Sequence, residues 1–208
     1  MAHVRATRLR VFTAVSLLAL GNAGCAATAA ADAASVRYLS AAETKPTSSA
    51  PSAKHRLLSS TPDGARSFVL ILATGDEVVS GILQLAQREK VESARFTAIG
   101  GVSQAEFGYF ELDKKKYKAF KYERQLEVLS LAGDIALDPE GEPTVHAHVV
   151  LGDVDGGAIG GHLISALVRP TLEVFVNVYP TRLQKRDEPE TDTQVIELDK
   201  TSAIGDAK

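Results

Sequence analysis

The sequence has no tryptophan, a single cysteine and a single methionine, and aromatic residues make up only 6% of its 208 residues. A single cysteine excludes a framework of intrachain disulfides. Apolar residues account for 45% and charged residues for 24%, which is the balance of a soluble globular protein. A chain of this length allows one ordinary domain with appendages.

The N-terminal region contains a short apolar run rather than one that could span a membrane. Val11–Leu20 is too short to cross a bilayer comfortably. Arg5, Arg8 and Arg10 precede it, and no acidic residue does. A positively charged start followed by a short apolar run predicts a secretory signal over residues 1–25. We therefore expect an exported protein of the periplasm or cell envelope.

The single cysteine closes this region, in Gly21-Asn22-Ala23-Gly24-Cys25. A cysteine preceded by Ala-Gly resembles the lipobox of bacterial lipoproteins, in which case Cys25 is lipidated and attaches the protein to a membrane. Asn22 departs from the leucine that a lipobox favours at this position. Ordinary signal cleavage within the alanine-rich stretch, for example after Ala29, is the alternative. Both interpretations predict export.

Positive charge is scarce for a protein that would bind nucleic acid. The formal net charge is −3, and it becomes about −6 without residues 1–25, which carry three arginines and no acid. An acidic protein is a poor candidate for binding a polyanion. The run Asp113–Lys116 with Tyr117 mixes basic and aromatic residues, but lysines commonly protect an exposed strand from aggregation. We expect no nucleic-acid partner.

Composition divides the remaining chain into three parts. Residues 26–64 are rich in Ala, Ser, Thr and Pro and lack periodic apolar residues, which predicts a flexible linker with His55 exposed to solvent. Residues 65–183 carry the regular apolar patterns of one folded domain. Residues 184–208 are charged, which predicts a disordered tail.

The apolar pattern of the folded part predicts one helix and several strands. Ser67–Leu72 is a continuous apolar run that suits a strand buried on both faces. A helix should begin near Glu77 and place one apolar stripe in the core, made of Val78, Val79, Ile82, Leu83 and Ala86. Ala94–Ile99 should be a strand that Gly100-Gly101 stops. Further strands are expected over residues 105–112, 117–122, 126–136, 144–151 and 170–179.

Three of the five histidines lie in one stretch, which points to a metal site. His146 and His148 are two residues apart in a predicted strand, so their side chains point to the same face. His162 follows a glycine-rich turn and returns beside them if that turn is compact. Three neutral imidazoles suit a zinc-like cation and leave a fourth position open. The alternative is a pair of ordinary strand histidines and a histidine at a helix start.

Two acidic residues stand in otherwise apolar strands. Glu127 lies in Leu126–Ala136 and Glu173 in Pro170–Tyr179. An acid among apolar residues is often partnered or functional, which makes both residues candidate catalytic bases. An acid that simply faces solvent on an alternating strand is the competing interpretation.

From about Ala65 to Leu183 the chain resembles the PPC (plants and prokaryotes conserved) domain in its stand-alone bacterial form. The motifs that carry the resemblance are Gly75-Asp76-Glu77, Ala98-Ile99-Gly100-Gly101-Val102-Ser103, Leu126–Gly133, His146–Asp153, Gly160-Gly161-His162-Leu163 and Glu173. Their order and spacing agree with the family throughout.

The resemblance implies an α+β fold: a strongly bent antiparallel or mixed β-sheet with one main packed helix, similar to the fold of acetolactate decarboxylase. It implies a homotrimer, and a metal site, usually described as zinc, at His146, His148 and His162. Likeness of fold alone does not identify a reaction.

Two departures limit what the family implies. Members often continue after Gly-Gly-His-Leu with an acid and a glycine, whereas this chain has Ser165 and Ala166. Plant members carry an Arg-Gly-Arg-Pro hook for the minor groove of DNA, and this sequence has none.

Two hypotheses for the function remain. One hypothesis is an exported metal-dependent lyase or hydrolase acting on a small oxyanionic substrate. The other is a non-catalytic trimeric module that binds a ligand or serves as a scaffold in the cell envelope.

Overall fold

One sheet of ten strands and a single α-helix make up the part of the chain that the computed structural model describes, residues 36–46 and 48–203. The predicted signal and Cys25 lie outside these residues. The helix is α1 (Val78–Glu89). The strands are β1 (Arg37–Leu39), β2 (Lys54–Ser60), β3 (Arg66–Ala73), β4 (Ser93–Glu111), β5 (Lys116–Tyr122), β6 (Leu126–Leu137), β7 (Pro143–Gly152), β8 (Ala158–Val178), β9 (Thr181–Glu188) and β10 (Thr193–Ala203).

The sheet is antiparallel and closes on itself around two long strands. β4 has 19 residues and β8 has 21. β4 pairs with β6, β6 with β7, β7 with β8, and β8 again with β4, so these four strands form a closed ring of hydrogen-bonded neighbours. The remaining strands extend the order β1-β5-β4-β6-β7-β8-β3-β2 at its ends, while β9 and β10 form a hairpin. In the described part of the chain, a single parallel contact joins Leu137 of β6 to Gln184 of β9. The predicted antiparallel sheet with one packed helix is confirmed.

The core lies between α1 and the inner face of the sheet. Helix residues Val78, Ile82 and Leu85 are almost completely buried, against strand residues such as Leu72 and Leu172. Leu85 is buried in the core, whereas the sequence pattern predicted Leu83 there. The buried face of the helix is rotated slightly toward Leu85. No helix among the described residues is long and apolar enough to cross a membrane.

The Gly75-Asp76-Glu77 motif joins the helix to the sheet. Glu77 is completely buried, and its carboxylate accepts hydrogen bonds from the backbone N–H groups of Val79 at 3.1 Å and Ser80 at 2.6 Å. The same carboxylate accepts from the backbone N–H of Ala166 on β8 at 3.3 Å. Glu77 is therefore both the N-cap of α1 and a buried partner for the sheet.

Gly100 does not end the strand, contrary to the prediction. A side chain at Gly100 would place its Cβ 2.3 Å from the carbonyl oxygen of Thr171 on β8. The pairing of β4 with β6 shifts register between Ala98 and Gly100, so the glycine marks a bulge within one long strand. The sequence alone cannot distinguish a glycine at a strand end from one at a close contact between strands.

The folded region extends on both sides beyond residues 65–183. Residues predicted as linker form β1 and β2, and residues predicted as disordered tail form most of the β9–β10 hairpin. His55, expected to be solvated, lies 2.9 Å from a carboxylate oxygen of Glu89 through its Nε2. These strands are mostly polar and lie at the sheet margins, and their few apolar residues, such as Leu39, do not form the apolar periodicity that reveals a core strand.

The strand Arg66–Ala73 is also exposed more than expected. Leu70 and Leu72 are buried, but Ile71 between them is 38% exposed. Within residues 36–46 and 48–203, therefore, only one face of β3 is covered.

Replacing Glu77 by Ala should destabilise the fold strongly. The change removes a helix cap, worth about 0.5–2 kcal/mol, and leaves the buried N–H of Ala166 without its acceptor, which costs about 1–3 kcal/mol more. Urea denaturation of Glu77→Ala should show this loss. Glu43→Ala, which removes an exposed capping interaction with Ser40, is the matched control and should cost less than about 1 kcal/mol. Equal losses in the two variants would contradict the role assigned to Glu77.

Candidate metal centre

Three histidines converge at the pairing of β7 with β8. His146 and His148 extend from the same face of β7, and His162 lies directly opposite His148 on β8. The centroids of the rings are 5.2 Å apart for His146–His148 and for His146–His162, and 5.6 Å apart for His148–His162. One nitrogen from each ring lies within 4.8 Å of the other two. His162 is a strand residue, so the alternative that placed it at a helix start is wrong.

The glycines before His162 allow β8 to lie against two neighbours. A Cβ at Gly160 would come within 2.1 Å of the carbonyl oxygen of Val149 on β7. A Cβ at Gly161 would come within 2.6 Å of the carbonyl oxygen of Gly108 on β4. Both contacts are too close for any side chain. The Gly-Gly-His sequence is therefore what brings the third histidine into register with the first two.

Tyr117 covers one face of His162. Its ring, on β5, stacks on the imidazole with centroids 4.4 Å apart and an angle of 20° between the planes. Tyr117 is itself buried, and this burial raises the pKa of its phenol. Sequence reasoning assigned Tyr117 to a surface hairpin and missed this contact, because the pairing of β5 with β4 that places it there is a property of the fold.

A carboxylate and an ammonium group stand behind His146. Asp134 of β6 lies opposite His146 in the pairing of β6 with β7, and its Oδ2 is 3.3 Å from His146 Nδ1. Its Oδ1 is 3.2 Å from Nζ of Lys185 on β9. The sequence indicated neither residue as part of the site. The only signal was an acid in the same apolar strand as Glu127.

The environment favours the neutral forms of His148 and His162. Burial lowers the pKa of His162 to about 3, with smaller contributions from the charges of His146, His148 and Lys185. Burial also lowers the pKa of His148, and the neighbouring His146 adds to this. Burial alone would raise the pKa of Asp134, but the hydrogen bond from His146 and the charge of Lys185 hold it below its ordinary value.

The residues present fit a divalent transition metal. Nδ1 of His162 is buried and has no hydrogen-bond partner among residues 36–46 and 48–203. A buried polar atom without a partner is costly unless a ligand satisfies it. Metal ions bind neutral imidazole nitrogens, and three histidines form a common set for zinc. His146, His148 and His162 are the residues that would hold the ion. His146 and His148 are exposed, so the site is open to solvent.

The chain does not bring Glu127 or Glu173 to the histidines. Glu127 is five residues from Ala132, which lies opposite His148, a separation of about 16 Å along β6. Glu173 lies 11 residues after His162 on β8. The two acids are instead close to each other, because both line a shallow depression formed with Ile99, Gly100, Val128, Leu129 and Thr171. The acid next to the histidines is Asp134.

A bent antiparallel sheet with one helix, and three histidines that meet across two adjacent strands, define a class of small β-rich proteins with a candidate metal centre. The chain belongs to the Plants and Prokaryotes Conserved (PCC) domain family, also abbreviated PPC, whose model matches residues 59–180. No curated protein matches the chain.

Several solved structures are similar to this chain. A protein of Ralstonia eutropha JMP134 proposed to bind DNA is 35% identical, with a TM-score of 0.60, and the match covers 67% of this chain and 94% of that one. A plant- and prokaryote-conserved protein of Pyrococcus horikoshii is 29% identical, with a TM-score of 0.60 and coverages of 70% and 96%. A metal-containing protein of Archaeoglobus fulgidus is 32% identical, with a TM-score of 0.59 and coverages of 63% and 92%.

The low pKa of His162 predicts how stability depends on pH. In the unfolded chain this histidine binds a proton near pH 6.5, whereas in the folded chain it does so only near pH 3. Between these values the unfolded state holds more protons, so the free energy of unfolding should fall as the pH is lowered from about 6.5 toward 3.

Urea denaturation of metal-free protein across this range tests the effect. His162→Phe keeps a ring for Tyr117 to stack on but cannot take up the proton, so its stability should fall less steeply with pH. Parallel curves for the wild type and the variant between pH 6 and 4 would contradict the assignment.

Proposed function

We propose that this chain is an exported homotrimeric PPC protein whose three histidines bind a zinc-like divalent metal and present it to a small oxyanionic ligand. One observation carries the proposal: a nitrogen from each of His146, His148 and His162 lies within 4.8 Å of the others. The description of the Archaeoglobus relative as metal-containing supports it.

Charge favours an anionic ligand. Three neutral imidazoles do not compensate the charge of a divalent ion, and the negative charge of Asp134 is already paired with Lys185 at 3.2 Å. An exposed site with an open coordination position therefore attracts carboxylate or phosphate oxygens. When bound, a zinc-like ion supplies Lewis acidity, which is the chemistry that a lyase or hydrolase of such substrates needs.

The chain's own residues have separate parts in this centre. The three histidines would hold the metal. Asp134 accepts the hydrogen bond of His146 Nδ1, and Tyr117 shields one face of His162 from water. Catalysis also needs a proton acceptor near the ligand. Glu127 and Glu173 can take that role only if assembly of subunits brings them to the histidines of another chain. Without that, the protein is a binding module, which is the second candidate function.

An exposed apolar surface supports assembly. Ile99 of β4 and Ile71 of β3 both pair with Glu173 of β8, and Ile99 is 58% exposed. Phe175 and Leu129 are about half exposed in neighbouring strands. Contiguous apolar residues on one sheet face are typical of a surface that another protein covers. We propose that copies of this chain cover it in a trimer.

DNA binding is not part of the proposed function. The Ralstonia protein is described as a DNA-binding candidate, but this chain has a formal net charge of −3, which disfavours binding to DNA. Several lysines of the β4–β5 hairpin are paired with acids: Lys114 with Glu111, Lys115 with Asp192 and Lys121 with Glu123. Their charge is therefore largely compensated on the surface where a phosphate backbone would have to bind.

Export rests on the sequence alone, and sequencing the N-terminus of protein recovered from the producing cells tests it. A blocked, lipidated Cys25 or a free N-terminus near Ala29 would each support export, whereas an intact Met1 would contradict it.

Metal analysis of purified protein tests the metal centre. The wild type should contain about one zinc-like ion per chain, and His148→Ala should contain almost none, because two imidazoles hold zinc much more weakly than three. His55→Ala, which lies elsewhere on the sheet, is the matched control and should keep its metal. A His148→Ala variant with unchanged metal content would place the site elsewhere.

The same protein can separate an enzyme from a binding module. With cobalt in place of the native ion, oxalate or phosphate should change the visible absorption by entering the open position. Small anions that copurify with the protein, identified by mass spectrometry, should then be converted by an enzyme and recovered unchanged from a binding module. Absence of any spectral response would contradict an open, ligand-binding centre.

Sedimentation equilibrium at micromolar concentration tests the trimer. The wild type should give three times the mass of one chain. Ile99→Glu places a charge on the apolar surface and should shift the protein toward monomer. Leu112→Glu changes an apolar residue that is 61% exposed just after the end of β4, 13 residues from Ile99, and should remain trimeric. A monomeric wild type would contradict the assembly.

A further inference from the structure

Lys185 is buried in a strand whose other residues are all partly or fully exposed. Only 5% of it is exposed, although it belongs to the polar hairpin β9–β10. Two other basic residues of the same strand, Arg182 and Arg186, are both exposed to solvent. Taking an ammonium group out of water costs several kcal/mol unless an opposite charge compensates it. The polar character of the hairpin therefore does not account for the position of Lys185.

The compensating charge is Asp134, and through it Lys185 reaches the histidines. Nζ of Lys185 is 3.2 Å from Oδ1 of Asp134, and Oδ2 of the same carboxylate is 3.3 Å from Nδ1 of His146. Three strands, β9, β6 and β7, thus contribute one continuous series of ammonium, carboxylate and imidazole. The single bridge between Leu137 and Gln184 holds β9 beside β6 at this point.

A carboxylate on one ring nitrogen decides what the other nitrogen can do. With Nδ1 of His146 donating to Asp134, Nε2 is the nitrogen left for a metal. Histidine ligands are commonly fixed in this way by a carboxylate, which sets the tautomer and the direction of the ring. A carboxylate held by a buried lysine has fewer orientations than one that is free in solvent.

The hairpin lies beyond the part of the chain that defines the family. The family model ends at residue 180, and β9 begins at Thr181. Lys185 therefore lies outside the residues that the family model matches, whereas Asp134 and the histidines lie within them.

We propose that the β9–β10 hairpin completes the metal centre: Lys185 fixes Asp134, and Asp134 orients His146 so that its Nε2 binds the metal. Lys185 and Asp134 are positioning residues, since neither would bind the metal itself. This inference rests on the proposed metal binding.

The competing explanation is that Lys185 only anchors the hairpin. The same strand offers a matched control, because Arg182 anchors it through two hydrogen bonds to Glu92, at 2.9 and 3.1 Å. Arg182→Met removes an anchor without touching Asp134 or the histidines. A purely structural role for Lys185 predicts similar effects of Lys185→Met and Arg182→Met.

The experiment measures the zinc dissociation constant by competition with a chromophoric chelator, beside the melting temperature of each variant. Asp134→Asn and Lys185→Met should each weaken zinc binding by about 10–100-fold, and Arg182→Met should remain within about twofold of the wild type. Lys185→Arg keeps the cation and should restore most of the affinity. The double variant Asp134→Asn/Lys185→Met leaves no unpaired buried charge and should bind zinc no more weakly than Asp134→Asn alone.

A spectroscopic measurement addresses the tautomer directly. Long-range ¹H–¹⁵N correlation spectra of the metal-free protein should show His146 protonated on Nδ1 in the wild type, and a shift toward Nε2 protonation in Asp134→Asn. This readout does not depend on metal loading or on modest losses of stability.

Three results would overturn the inference while leaving the metal proposal in place. They are zinc affinity in Asp134→Asn or Lys185→Met within twofold of the wild type, an equal loss in Arg182→Met, and an unchanged tautomer of His146 in Asp134→Asn. A wild type that binds no zinc would instead overturn the metal proposal and this inference with it.

Discussion

The close approach of β8 to β7 and β4 is the constraint on which the site depends. Gly160 and Gly161 lie so near the carbonyl oxygens of Val149 and Gly108 that no side chain could be placed there. This contact closes the ring of strands and sets the register that puts His162 opposite His148. The metal centre is therefore a consequence of backbone packing. A larger residue at either glycine would separate the strands before it affected any histidine directly.

Two carboxylates near this framework, those of Glu77 and Asp134, are each paired with other polar groups of the chain. Glu77 is buried because three backbone N–H groups satisfy its carboxylate. Asp134 is half-buried between His146, which lies within hydrogen-bond distance of Oδ2, and Lys185, whose charge pairs with Oδ1. The two carboxylates differ in consequence. The first links a helix to a strand and contributes stability, whereas the second sits beside candidate ligands and can affect what they bind.

The surface of a single chain also bears on function. Exposed Ile71, Ile99 and Phe175 form an apolar face, and the two candidate catalytic bases, Glu127 and Glu173, lie on or beside it. The separation of these acids from the histidines in one chain makes assembly the deciding question for catalysis. An enzyme and a binding module could share every feature of the monomer and differ only in what a neighbouring subunit contributes.

The sequence by itself determined the helix, most core strands and the three histidines, because apolar periodicity and the two-residue spacing of His146 and His148 are local properties. It could not show the strands at both ends, because these strands carry too few apolar residues in a regular pattern and are held mainly by backbone pairing. Nor could it find Tyr117, Asp134 or Lys185, since each reaches the histidines from another strand. Only the tertiary structure decided those contacts, because strand register joins residues that are distant along the chain.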